Sequence, residues 1–245
     1  MKPTPTSPAE RPFLLAFGAH PDDIEFGCGA IIAQETLAGR PAHLVVCSRG
    51  ESGTNGTPEE RTVEARGGAA RLGATLDFAD LGGDAHFEMR AAHAMTLAAI
   101  IRKFRPSIVL APTTVENQHP DHVVLGRLVR DAVRLARFGG VSELAKRPAH
   151  AVAHLLFYAV TPEAEPKDRS AMLVDVSTPE VLKAWKASME AHASQAKTRG
   201  YTELQIARAL VCGRRCGVTH AIPLFPNDPL VFSSLNRLDR AARHF

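Results

Sequence analysis

The first two thirds of the chain alternate short apolar runs with segments of helical periodicity. The apolar runs cover residues 13–17, 43–47, 76–81 and 107–111, and the helical patterns cover 24–37, 58–72, 91–104 and 120–137. Short strands that alternate with helices of this length are typical of βαβ units. The pattern therefore predicts an α/β fold: a three-layer, Rossmann-like arrangement in which a mostly parallel sheet carries helices on both faces.

The helix ends give further support to this pattern. Thr57, Pro58 and Glu60 form the sequence of a capping box with proline at the first helical position, and Gly73 follows the end of the same segment. These signals predict a helix that begins directly after Thr57.

The last third of the chain is less regular. Residues 154–160 and 172–176 have the pattern of strands and 179–196 that of a helix, while the remainder is predicted to be rich in loops, including the turn-forming stretch 223–229. Neither a linker nor a repeat interrupts the chain. We expect residues 1–11 to form a disordered lead and residues 12–245 to form one domain.

Composition narrows the classes of function. The 245 residues carry a net charge of +3 and only 6% aromatic residues, which argues against a nucleic-acid groove, since such a groove needs massed basic side chains and stacking surfaces. No apolar run approaches the roughly 20 residues that span a membrane. Four cysteines without a secretion pattern suggest a cytoplasmic protein with free thiols, and the CxxxC spacing of Cys212 and Cys216 is a weak redox or metal signal.

The candidate chemistry lies in two related motifs, His20-Pro21-Asp22-Asp23 and His119-Pro120-Asp121-His122, each of which follows a predicted strand. Ligands of an open parallel sheet bind at the carboxyl ends of strands, so segments far apart in sequence can meet there. A catalytic zinc site takes three protein ligands and leaves a fourth position open. His20 and Asp23 can face one point from a tight turn and His122 can complete the set, which leaves Asp22 free to act as a base. Two histidines and one carboxylate also suit Fe(II).

Each motif alone has an ordinary structural interpretation. Asp22 with Glu25 resembles a capping box, and a single His-Pro-Asp sequence can be a turn. Two such motifs at matched positions after strands favour the metal site.

In combination, these motifs and Glu25 resemble the LmbE-like or PIG-L family of zinc-dependent sugar N-deacetylases. The resemblance covers most of the chain, and segments 48–61 and 117–122 look most like the bacillithiol-biosynthesis branch of that family. It is weaker at 217–222, where relatives commonly show a tyrosine and an acidic residue after a Gly-Val pair and this chain has Thr219 and His220.

The resemblance implies a role for each matched residue of the two motifs. His20, Asp23 and His122 would hold Zn²⁺, with Fe²⁺ as the alternative. Asp22 would be the general base for a metal-activated water. His119 would stabilise the oxyanion and protonate the leaving amine, and Asp121 beside it would raise its pKa above about 6.5.

Arg61, Glu51 and Asn117 match polar positions that would hold the sugar. The implied reaction is removal of the N-acetyl group from an N-acetylglucosamine-type glycoside, such as N-acetylglucosaminyl malate. The alternatives are an amidase acting on a larger thiol-sugar conjugate and a non-catalytic sugar-binding protein of the same fold. We expect a small-molecule partner, no nucleic acid, no membrane, and assembly into a homo-oligomer.

Overall fold

The computed structural model describes residues 13–116, 119–196 and 200–235, and the predicted lead at 1–11 lies outside them. The strands are β1 (Leu14–Gly18), β2 (Ala42–Val46), β3 (Thr75–Phe78), β4 (Ile108–Pro112), β5 (His154–Tyr158), β6 (Met172–Asp175) and β7 (Ala221–Pro226). The helices are α1 (Asp23–Leu37), α2 (Pro58–Arg71), α3 (Ala91–Phe104), α4 (Pro120–Arg137), α5 (Pro179–Glu190), α6 (Ala193–Ala196) and α7 (Tyr201–Arg215).

The seven strands form one sheet in the order β3-β2-β1-β4-β5-β7-β6. All neighbouring pairs are parallel except those of β7, which runs antiparallel to both β5 and β6. The direction of the strand order reverses between β1 and β4. In sheets of this type that reversal opens a crevice at the carboxyl ends of the two strands. The predicted α/β class is confirmed.

Strand β1 shows how the sheet separates two apolar cores. Leu14 and Ala16 face a core shared with α1, α2, α5 and α7, whereas Leu15 and Phe17 face a core shared with α3 and α4. This alternation follows from the two-residue period of a strand. Helices therefore cover both faces of the sheet, as the sequence pattern predicts. Among the described helices, none combines the length and apolarity needed to cross a membrane.

Two elements of the last third contradict the prediction of loops there. Helix α7 buries a stripe made of Gln205, Ala209 and Gly213, and these small or polar residues give no apolar periodicity to read. Strand β7 contains Pro223 and Pro226, which normally indicate turns because proline donates no backbone hydrogen bond.

The predicted helix 179–196 is also wrong in one respect, because it is two helices. Helix α5 ends at Glu190, and α6 begins at Ala193. Between them His192 points inward with no exposed surface and lies opposite Glu25 of α1, with 3.6 Å between His192 Nε2 and Glu25 Oε2. The helical pattern of the sequence cannot reveal this break, because a histidine is compatible both with one continuous helix and with a turn between two helices.

Candidate active site

The site lies where β1 and β4 end side by side. The turn that follows β1 carries the first His-Pro-Asp motif, and the segment that follows β4 carries the second. The two motifs lie at the reversal of the strand order, as expected for ligand-binding residues in such a sheet.

Three buried side chains form a group able to hold a metal ion: His20, Asp23 and His122. His122 Nε2 lies 3.0 Å from Asp23 Oδ1 and 3.2 Å from His20 Nδ1, and His20 Nδ1 lies 3.5 Å from Asp23 Oδ2. Two imidazole nitrogens and one carboxylate oxygen match the three-ligand sets of catalytic zinc and also suit Fe(II). The residues predicted from the sequence as ligands are thus brought together.

Asp23 is fixed at the first position of α1. Its Oδ2 accepts hydrogen bonds from the backbone N–H groups of Ala19 and His20, each at 2.9 Å. Burial opposes ionisation of this carboxyl, but His122 and His20 hold its pKa well below the usual range. Asp23 therefore presents a charged, oriented oxygen to the metal position.

The other ring nitrogen of His20 faces two more carboxylates. His20 Nε2 lies 2.9 Å from Asp84 Oδ1 and 3.3 Å from Asp121 Oδ2. Acceptors on the distal nitrogen fix the tautomer and the ring orientation of a ligating histidine. Burial lowers the pKa of His20, but Asp121, Asp23 and Asp84 together raise it to about 12. The surplus of negative charge around this ring would be balanced by a divalent cation, so the donor set fits the expected metal.

Sequence reasoning missed Asp84. It lies in the loop after β3 and is buried, and the Ser52 N–H donates to its Oδ2 at 3.2 Å. The available signal was its place shortly after a predicted strand, which brings it to the same edge of the sheet as the two motifs.

The carboxylate of Asp121 lies closer to His20 than the sequence resemblance suggests. Its Oδ2 accepts from the Ala85 N–H at 2.7 Å and its Oδ1 from the Phe87 N–H at 3.4 Å. The carboxylate thus connects the β3–α3 loop to His20, whereas the contact with His119 runs through the backbone, because the Asp121 N–H donates to His119 Nδ1 at 3.2 Å.

His119 is exposed at the N-cap of α4, with its ring centre 4.6 Å from that of His20. Partial burial, with the nearby His20 and His122, lowers its pKa, so the expected rise above about 6.5 is wrong. The charge of Asp121 raises the pKa of His119, but its effect is smaller than the lowering by burial and by the two histidines. Because Nδ1 accepts a hydrogen bond, the proton of the neutral ring lies on Nε2.

Asp22 stands beside the metal group without joining it. Its backbone has φ 112°, and its side chain caps no N–H of α1, so the capping-box interpretation of Asp22 and Glu25 is not realised. Burial and the neighbouring Asp23 raise the pKa of Asp22 to about 6. A carboxyl with this pKa is charged at neutral pH and still basic enough to take up a proton.

Arg61 contacts the first motif from α2, whose predicted capping box at Thr57 and Glu60 is confirmed. The guanidinium is buried and donates to Pro21 O at 2.9 Å and to Gly50 O at 3.2 Å, and its Nη2 lies 3.5 Å from Asp22 Oδ2. A Cβ at Gly50, where φ is 72°, would overlap Arg61 Nη1. Only glycine therefore lets this loop close over the arginine.

The carboxylate of Glu51, the second residue expected to hold the sugar, accepts two backbone hydrogen bonds. Its Oε1 accepts from the Arg49 N–H at 3.0 Å and its Oε2 from the Asp84 N–H at 3.1 Å. Glu51 thus connects two loops at the rim of the site. Asn117, the third residue of that prediction, lies outside the described residues.

Comparison with known proteins agrees with this geometry. The PIG-L family model, described as GlcNAc-PI de-N-acetylase, matches residues 15–133. The uncharacterized deacetylase YaiS of Escherichia coli K12 is 43% identical over 79 residues, or 31% of this chain and 42% of that protein. The 1D-myo-inositol 2-acetamido-2-deoxy-alpha-D-glucopyranoside deacetylase 2 of Catenulispora acidiphila is 28% identical over 211 residues, covering 72% of this chain and 69% of that one. The match to YaiS thus spans less than half of its length.

Solved structures of the same architecture include the conserved protein TT1542 from Thermus thermophilus, with a TM-score of 0.78 and 30% identity over 89% of this chain and 96% of that one. GalB, the 4-carboxy-2-hydroxymuconate hydratase of Pseudomonas putida, has the same TM-score at 22% identity, covering 91% of this chain and 99% of that one. The second likeness concerns the fold alone. The chain is thus similar to the PIG-L family over residues 15–133, just under half of its length, and to proteins named as deacetylases. The bacillithiol branch within that family stays a prediction.

Proposed function

We propose that this protein is a metal-dependent deacetylase that hydrolyses the N-acetyl group of an N-acetylglucosamine-type glycoside. The observation that carries the proposal is the position of Asp22. This carboxylate has a raised pKa and borders a three-residue metal group without taking part in it. A protein that only bound sugars would have no use for a base at that place.

His20, Asp23 and His122 would hold the ion. A bound zinc ion would supply Lewis-acid chemistry, polarising the amide carbonyl and making water more acidic. Asp22 takes the proton of the attacking water, because at neutral pH most of a carboxyl with a pKa of about 6 is ionised. The same carboxyl can return that proton to the departing nitrogen, so the hydrolysis yields acetate and a free amine without a further acid.

His119 supports the reaction as a neutral hydrogen-bond donor. Its Nδ1 is occupied by the Asp121 N–H, so its Nε2–H can be directed at the amide oxygen as negative charge develops there. This assignment differs from the protonated histidine expected from the sequence, because the pKa of His119 is lowered.

The substrate proposal combines two sources. The sequence resemblance suggests N-acetylglucosaminyl malate, whereas the Catenulispora relative is named for an N-acetylglucosamine-type group joined to inositol. The N-acetylglucosamine part is common to both, so the assay compares the two aglycones.

The test is acetate release by metal-quantified protein from the malate and inositol glycosides of N-acetylglucosamine. We expect release from at least one of them, and loss of that release in Asp22→Ala. Binding of both glycosides without acetate release would favour the sugar-binding alternative. Release of a larger acid from a thiol-sugar conjugate alone would favour the amidase.

The same protein is also assayed for hydration of an unsaturated tricarboxylic acid, 4-carboxy-2-hydroxymuconate, because a hydratase shares this fold. Hydration in the absence of any acetate release would overturn the proposal.

A further inference from the structure

The residues that the mechanism uses all lie within the part of the chain matched by the family model, yet a later segment, 192–195, packs against that part near the site. We infer that Ser194 and Gln195, with His192 as their anchor, are positioning residues that hold the loop bordering the substrate cleft. This loop, residues 47–57, connects β2 to α2 and is called here the cleft loop. The inference rests on the proposed function insofar as it concerns substrate binding.

The segment contacts the cleft loop directly. Gln195 Nε2 donates to Asn55 O at 2.8 Å. Gly56, with φ 77°, lies so close to Ser194 that a Cβ on it would be 2.8 Å from Ser194 Cβ. The C-terminal end of the loop is therefore fixed by one amide-to-carbonyl hydrogen bond and by the close approach of Gly56 to the side chain of Ser194.

The same segment is fixed to α1 and α2. Ser194 donates through its backbone N–H to Glu64 Oε1 at 2.7 Å and through its hydroxyl to Glu64 Oε2 at 2.6 Å. His192 lies fully buried against Glu25 of α1, two residues beyond the metal ligand Asp23. Gln195 is thus held between α1 and α2, which limits how far it can move with the loop.

The cleft loop in turn sets the rim of the site. Ser52 donates from its hydroxyl to Asp84 O at 2.9 Å and from its N–H to Asp84 Oδ2, and Glu51 accepts from the Asp84 N–H. Asp84 contacts His20 Nε2. Residues 51–54 are exposed at this rim. A displacement of the loop would therefore change the surface that meets a bound glycoside while leaving His20, Asp23 and His122 joined by their own contacts.

The variant that isolates this effect is Gln195→Ala, and Gln205→Ala is its matched control. Gln205 makes the same kind of bond, from Nε2 to Val160 O at 2.7 Å, but lies on α7. Gln195→Ala removes the hydrogen bond to Asn55 O and a second one to Ser194 Oγ at 3.0 Å. Because only the first of them reaches the loop, we expect KM for the glycoside to rise by about 3–10-fold with kcat within about twofold, the scale of one lost hydrogen bond. Activity toward a minimal acetamide lacking the sugar should not change. The control should lose similar thermal stability and keep its KM.

A second readout keeps the inference separate from the proposed function. Hydrogen exchange of the peptide spanning the cleft loop should be faster in Gln195→Ala than in the wild type, and unchanged in Gln205→Ala. Unchanged exchange in Gln195→Ala, or an equal rise of KM in both variants, would overturn the inference. A wild type that releases acetate from none of the glycosides refutes the proposed function, and loop exchange alone then decides whether the segment holds the loop.

Discussion

The segments that follow β1 and β4 each carry a His-Pro-Asp motif, called here the first and the second turn, and each motif brings its fourth residue, Asp23 or His122, to the metal group. They differ in where the following helix begins. Helix α1 begins at the fourth residue of its motif, so the third residue, Asp22, is the N-cap. Helix α4 begins at the second residue of its motif, so the third residue, Asp121, lies within the first helical turn.

This difference of two residues gives the two third-position aspartates opposite environments. Asp22 has a positive φ and borders the metal group, and burial raises its pKa to about 6. Asp121 accepts hydrogen bonds from two backbone N–H groups and faces His20, and although burial acts in the opposite direction these contacts lower its pKa. The helix start, rather than the residue type, makes one aspartate a candidate base and the other a positioning residue.

The largest effect should come from the fourth position, where the two turns are alike. Asp23→Ala and His122→Ala should each lose the metal on dialysis, because only two of three ligands remain, and activity should fall below detection. Metal analysis of the dialysed proteins checks this. One retained metal per chain in either variant would remove that residue from the ligand set.

The third position of the first turn should show the next largest effect. Asp22→Ala should retain about one metal per chain, while kcat falls by roughly 10²–10⁴-fold, the usual scale for a lost general acid or base. Metal content and acetate release are measured on the same preparation. If this variant is metal-free, the separation of base from ligand is wrong.

The third position of the second turn should behave differently. Asp121→Asn weakens an acceptor on His20 Nε2, so metal affinity should fall by about 10–100-fold while kcat of the fully loaded enzyme changes little. Competition with a chelator of known affinity measures the metal affinity. A large loss of kcat at unchanged metal affinity would give Asp121 a role like that of Asp22 and end the contrast between the turns.

Of the two turns, Arg61 contacts only the first, through Pro21 O and Asp22. Its loss should have the smallest of these effects. Arg61→Ala should lower kcat/KM by about 10-fold, equally for the glycoside and for a minimal acetamide, because the buried guanidinium holds the turn. Arg66→Ala, which removes another arginine-to-carbonyl bond of α2, is the control. A larger loss on the glycoside would support the sugar contact expected from the sequence.

Those parts of the fold and of the site that follow from local sequence patterns could be predicted from the sequence. Alternation of apolar runs with helical periodicity predicts the first four strands and four helices, and the ligand group follows because His20 and His122 come after neighbouring strands. The sequence did not predict a role for Asp84, because it is a lone aspartate in a loop after β3. The sequence also did not predict α7, because the buried stripe of this helix includes Gln205 and Gly213 and is not apolar.

The roles of His119 and Arg61 depend on side-chain contacts that no residue spacing encodes. The lowered pKa of His119 comes from burial and from the histidines that the fold places beside it. Arg61 was expected to hold the sugar, but its guanidinium is buried and lies directly against Gly50 of the cleft loop. In both cases the residue was recognised, and its surroundings, formed by distant parts of the chain, determine what it can do.

The crowding of Asp23, Asp84 and Asp121 around one imidazole also has a consequence for folding. Without a cation, the native state gathers these carboxylates around His20, whose proton offsets part of their charge: the pKa of His20 is raised to about 12 and the pKa values of the three aspartates are lowered. A divalent ion that binds only the native arrangement shifts the folding equilibrium by mass action and ties residue 20 to residue 122. Metal supply in the cell would then govern how much folded protein persists as well as how much of it is active.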